Sequence, residues 1–141
     1  MKSNFNEQDF ATYTYKGTSS ISGQAFLKTR GGAVRYAAGD AVYITPATSY
    51  TREIAQFLED NDRDTTIVQG GPPEKSQQLA RYVRKTTADG SGNFAFNGLT
   101  DGYYYVECGI YWMAGSRSTG STVRKLYQIG AGQQARVILT E

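Results

Sequence analysis

Residues 86–106 read TTADGSGNFAFNGLTDGYYYV and hold four glycines, two Asp-Gly pairs, a Phe-x-Phe and three consecutive tyrosines. Such a composition suits a loop that holds a metal or a sugar. It suits equally a chain reversal between strands. In ADGSGN the glycines supply the positive φ angles of a tight reversal, which β-branched residues adopt only at a cost. Phe94 and Phe96, two apart, then share one face of a strand, which Gly98 and Leu99 end before TDG turns the chain again. In the next strand Tyr104, Val106, Cys108, Ile110 and Trp112 fall on one face. Tyr103, Tyr105, Glu107, Gly109 and Tyr111 fall on the other. The first set is the more apolar and is expected in the core, with Cys108 an inert small side chain. The stretch therefore reads as a hairpin that builds the fold.

The metal reading is weaker on its own terms. Asp89, Ser91 and Asn93 alternate as in a calcium loop, but the twelfth position counted from Asp89 is Thr100, where such a loop needs a bidentate Glu, and its flanks read as strands. Zinc lacks donors, because the chain has no histidine and a single cysteine, Cys108. No metal or cofactor is expected.

Outward from this stretch the chain is mostly short strands and turns. SISGQAFLKT (20–29) alternates as a strand, and AAGDAVYITPA (37–47) runs from turn residues into a strand stopped at Pro46. SYTREIAQFLEDN (49–61) differs: Tyr50, Ile54, Phe57 and Leu58 fall at helical spacing, with Ser49 as a cap. TTIVQ (65–69) reads as a short extended segment, and a strand is expected from Tyr82 into the opening stretch. NFAF, GYYYVECGIYW, TVRKLYQI and QARVILT complete a count of about seven strands. Residues 1–18 are polar around isolated Phe5 and Phe10 and read as a flexible N-terminal arm or a first edge strand. Residues 19–141 form one β-sandwich domain, with a helical and loop insertion at about 49–80.

The run T-T-x-D-G-x-G-x-F-x-F-x-x-L-x-x-G-x-Y-x-V rests on Thr86, Thr87, Asp89, Gly90, Gly92, Phe94, Phe96, Leu99, Gly102, Tyr104 and Val106. It resembles the prealbumin-like module of the carboxypeptidase regulatory-like (transthyretin-like) superfamily. SGQAFLKTRGGAVRYAAGDAVYITPATS and GQQARVILT are similar to that module's first two strands and its last. The resemblance implies an all-β, seven-stranded prealbumin-like Greek-key sandwich with one short inserted helix. It further implies an extracytoplasmic accessory, adhesive or anchoring role, in the periplasm or at the cell surface. The polar opening then reads as a tether behind a removed leader, lipid-anchored in the full-length form.

Composition narrows function by exclusion. The net charge is +2, from 15 basic and 13 acidic residues, and Lys and Arg are scattered in small groups rather than in a stripe, so a nucleic-acid partner is not expected. Without histidine no Ser-His-Asp triad can form. The purine-pathway hydrolases of the superfamily depend on histidines and a C-terminal Tyr-Arg-Gly-Ser, whereas this chain ends VILTE. No catalytic residue is assigned. Binding remains, and its candidate residues are the outward-facing Tyr103, Tyr105 and Tyr111 with Glu107 between them. A protein partner in the cell envelope is the first expectation. A polysaccharide stacked on the tyrosine stripe is the alternative, and a hydrolase of unknown substrate the third. A covering element over the same face, from the 50–58 helix or the N-terminal arm, would remove the stripe from solvent.

Overall fold

A computed structural model describes residues 2–141. Eight strands form two sheets. In chain order they are β1 (Ser19–Lys28), β2 (Val34–Tyr36), β3 (Ala41–Pro46) and β4 (Arg84–Thr87). β5 (Asn93–Leu99), β6 (Gly102–Ala114), β7 (Arg117–Ile129) and β8 (Gln134–Leu139) follow. In the first sheet β1 pairs antiparallel with β2 and β5 and parallel with β8. The second sheet runs β4-β3-β6-β7, antiparallel throughout.

Alternation along the strands fills the space between the sheets. Ile21, Ala25 and Leu27 of β1 meet Val42 and Ile44 of β3, Phe94 and Phe96 of β5, and Tyr104, Val106, Cys108 and Ile110 of β6 in one buried cluster. Each fully buried aliphatic or aromatic side chain contributes about 1.5–3 kcal/mol, so this cluster holds the sandwich. Tyr104 enters it because its hydroxyl finds a partner, donating to the Thr100 carbonyl at 2.9 Å. Burial pushes the Cys108 thiol up to about 12, which makes it unreactive as a nucleophile.

The structure corrects the reading of residues 86–106. β4 lies in the second sheet and β5 in the first, so the DGSGN turn carries the chain from one sheet to the other instead of closing a hairpin. Residues 100–102 carry it back, into β6. Gly92 is required at the first crossing: its φ is +78°, and a Cβ there would sit 2.4 Å from the Ala25 carbonyl oxygen. Asp89 organises the same turn, its carboxylate accepting from the Ser91 and Asn93 amides at 2.9 and 3.0 Å. The hairpin in this part of the chain is β6–β7, which turns at Gly115 (φ +67°).

Two further expectations change. The strand count is eight rather than seven, because Val34–Tyr36 pairs with the end of β1. The insertion is not one helix but three, α1 (Ser49–Asn61), α2 (Ile67–Gly70) and α3 (Ser76–Ala80). TTIVQ is therefore partly helical, and the strand after α3 begins at Arg84 rather than Tyr82. The cap of α1 is Thr48, not Ser49: the Thr51 amide donates to the Thr48 hydroxyl and the Thr48 amide to the Thr51 hydroxyl. No helix among the described residues is long and apolar enough to cross a membrane.

The helices form a layer on the outer face of the second sheet around a second buried cluster, Phe10, Tyr50, Ile54, Ala55, Leu58, Ile67 and Leu79. Residues before β1 join it. Phe10 stacks on Tyr82 at 4.5 Å and on Phe5 at 5.3 Å.

Candidate functional site

The odd-numbered residues of β6 do face away from the sandwich core, but the helical layer crosses the middle of their row. Glu107 is only 1% exposed. Its carboxylate accepts from Arg124 Nη2 at 2.9 Å and Nε at 3.2 Å, and from the Ile67 amide at 3.1 Å. Arg124 also donates to the Thr65 carbonyl at 2.6 Å. Burial pushes the Glu107 carboxyl above its ordinary value, while the Arg124 guanidinium and the Ile67 amide pull it back down. The pair thus ties the α1–α2 loop to the sheet, a structural clamp rather than a contact for ligand. Thr122 adds to the clamp, its amide donating to the Asp64 carboxylate and its hydroxyl to the Asp64 carbonyl.

Tyr105 is half-buried against the same layer, and burial raises its hydroxyl pKa. The exposed tyrosines are the outer two, Tyr103 (40%) and Tyr111 (45%). Eight residues of strand separate them by about 27 Å. Tyr103 carries the Arg52 guanidinium over its ring at 5.2 Å, and its amide donates to the Tyr13 hydroxyl. Tyr111 leans back over Gly109, where a Cβ would approach its ring to 3.0 Å, and its hydroxyl pairs with that of Thr122 at 3.1 Å. The four expected residues therefore do not make one continuous stripe. Two are exposed at opposite ends, one is half covered, and one is locked beneath the insertion.

The same layer creates a cleft of its own, of about 550 Å³, between α1 and the chain after α2. Buried α1 residues Tyr50, Thr51, Ile54, Ala55 and Leu58 form one stripe of the helix. Glu53, Gln56, Phe57, Asp60 and Asn61, at i, i+3, i+4, i+7 and i+8, form a second stripe that lines the cleft. The opposite wall is Gly70, Gly71 and Pro72. Both glycines let this wall approach α1, since a Cβ on either would stand 2.8 Å from Leu58 or Ile54. Phe57 is 55% exposed here, although its spacing places it with the core in the sequence.

The polar groups around Phe57 are mostly acceptors. Gln56 Nε2 already donates to both Asp60 carboxylate oxygens, at 3.1 and 3.2 Å, and Asn61 Nδ2 donates to the Phe57 carbonyl at 2.9 Å. Glu53 accepts from the Lys2 and Ser3 amides at 2.6 and 2.7 Å. The Ser3 side chain first, and then these two amides, hold its carboxyl below the ordinary range. The cleft thus combines an aromatic face with ionised or neutral oxygen acceptors. It can stack on an apolar ring face and accept from the hydroxyls around it. Among the described residues no group of three or more His, Cys, Asp or Glu is arranged to hold a metal.

No protein-family model and no curated protein matches the sequence. Among solved structures, PA1324 of Pseudomonas aeruginosa, a candidate carbohydrate binding protein, is similar at a TM-score of 0.79 and 29% identity, over 99% of this chain and 99% of that one. The pilus backbone protein RrgB of Streptococcus pneumoniae is similar at a TM-score of 0.35 and 15% identity, over 84% of this chain and 40% of that one.

Proposed function

We propose that the chain is a non-catalytic carbohydrate-binding module that seats a sugar ring in the cleft between α1 and Gly70–Pro72. The observation that carries this reading is Phe57, a phenyl ring left 55% exposed on a helix that otherwise buries its large apolar side chains. A pyranose has one face of C–H bonds and a rim of hydroxyls. The C–H face suits the ring of Phe57, and the rim suits Glu53, Gln56, Asp60 and Asn61. The whole-length likeness to a candidate carbohydrate binding protein supports the same class of ligand. A protein partner, expected first from the sequence, fits less well, because this concavity is rimmed by polar groups.

The transthyretin-like kinship, the Greek-key connection and an extracytoplasmic setting belong to the same proposal, since a module that binds polysaccharide works where polysaccharide is. Fractionation of the native host should find the protein outside the cytoplasm; recovery in the cytosol would remove that part. The binding claim is tested by isothermal titration with soluble oligosaccharides. Binding by the wild type and its loss in Phe57→Ala is the expected result. Unchanged binding in Phe57→Ala would move the site elsewhere.

A further inference from the structure

We infer that the cleft takes a glycan rich in hydrogen-bond donors and free of anionic groups, and that it binds amino-sugar chains tightest. This rests on the proposed sugar-binding role and adds the class of sugar. The charged residues lining the cleft are Glu53 and Asp60, and both are acidic. They stand seven residues apart on α1, about 10 Å along its axis. Of the rim's amide donors, Gln56 Nε2 is shared between the two Asp60 oxygens and Asn61 Nδ2 donates to the Phe57 carbonyl. Beyond Pro72 the adjoining surface carries Glu74 and Lys75, which offset each other.

Such a rim discriminates by sign. A hydroxyl or an ammonium donates to a carboxylate, whereas a uronate, sulfate or phosphate meets like charge at Glu53 and Asp60. Ion pairs at an exposed rim are modest, so a free amine should tighten binding about two- to fivefold at low ionic strength. That gain should shrink as salt screens it.

The test is titration calorimetry at low and high salt with three soluble oligomers, a glucosamine oligomer bearing free amines, its N-acetylated counterpart and a polyuronate oligomer. The wild type should bind the amine oligomer more tightly than the acetylated one and show no binding of the uronate. Glu53→Gln combined with Asp60→Asn should abolish the preference while Phe57→Ala weakens both oligomers. Uronate binding as tight as that of the amine oligomer, and lost in Phe57→Ala, overturns this inference and leaves the sugar-binding role standing. Failure of every oligomer to bind overturns both.

Discussion

The sandwich interior and the helical layer above it bury side chains on different terms. The interior joins seventeen buried residues contributed by both sheets, with no charged group among them. The layer's cluster has seven, and it is fastened to the sheet by polar links, the Glu107–Arg124 pair with its bonds to Thr65 and Ile67, and Asp64 on Thr122. The sandwich closes on its own apolar packing, whereas the helical cluster rests on the sheet beneath it through Tyr105 and these polar links. The less apolar region is also the one that carries the cleft. Regions of lower local stability are where binding surfaces are commonly found.

The largest expected effect separates the two regions at the clamp. Glu107→Ala leaves Arg124 buried and unpaired, a penalty of about 3–5 kcal/mol. The layer should relieve it by opening. Hydrogen exchange should then show protection lost over residues 62–71 and retained in β1 and β6. Equal loss in both would mean that layer and sandwich are a single unit. Ile44→Ala, in the interior, should cost about 2–5 kcal/mol. It should lower the denaturation midpoint of both regions together, which simultaneous fluorescence and exchange measurements would report.

Smaller effects sharpen the same contrast. Thr48→Ala removes the capping box of α1 and should cost about 1 kcal/mol, seen as a lower thermal midpoint with Cys108 still protected. Cys108 is a reporter for the interior, because its thiol is pushed up to about 12 by burial. At pH 8 its alkylation should follow the rate of global unfolding; labelling that follows opening of the layer would break the distinction. Phe57→Ala should change stability by less than about 0.5 kcal/mol, since the ring is more exposed than buried.

The β-rich class, most strands and the inward set Tyr104, Val106, Cys108 and Ile110 could be read from alternation alone. Turn chemistry could not say where a turn leads. Asp89–Gly92 has the composition of a hairpin, but only the pairing of β4 with β3 and of β5 with β1 makes it a crossing between sheets. Val34–Tyr36 escaped because three exposed residues between glycine-rich turns carry no periodic signal. Glu107 was legible as outward-facing, yet outward here means beneath α2, a tertiary fact that strand period does not contain. Phe57 illustrates the limit of helical spacing. At about 100° per residue it lies roughly 90° from the centre of the buried stripe, on the boundary between core and cleft. Tyr103 and Tyr111 were found as exposed aromatics, but their separation across the covered middle depends on the insertion.

The central claim, that the helical layer holds a sugar against Phe57, is tested most directly by calorimetric titration of wild type and Phe57→Ala with the same soluble oligosaccharide. The account predicts saturable binding by the wild type, at least a tenfold loss in Phe57→Ala, or about 1.4 kcal/mol, and thermal midpoints that match within about 2 °C. Equal affinity in the two proteins, or no binding by a folded wild type, would contradict it.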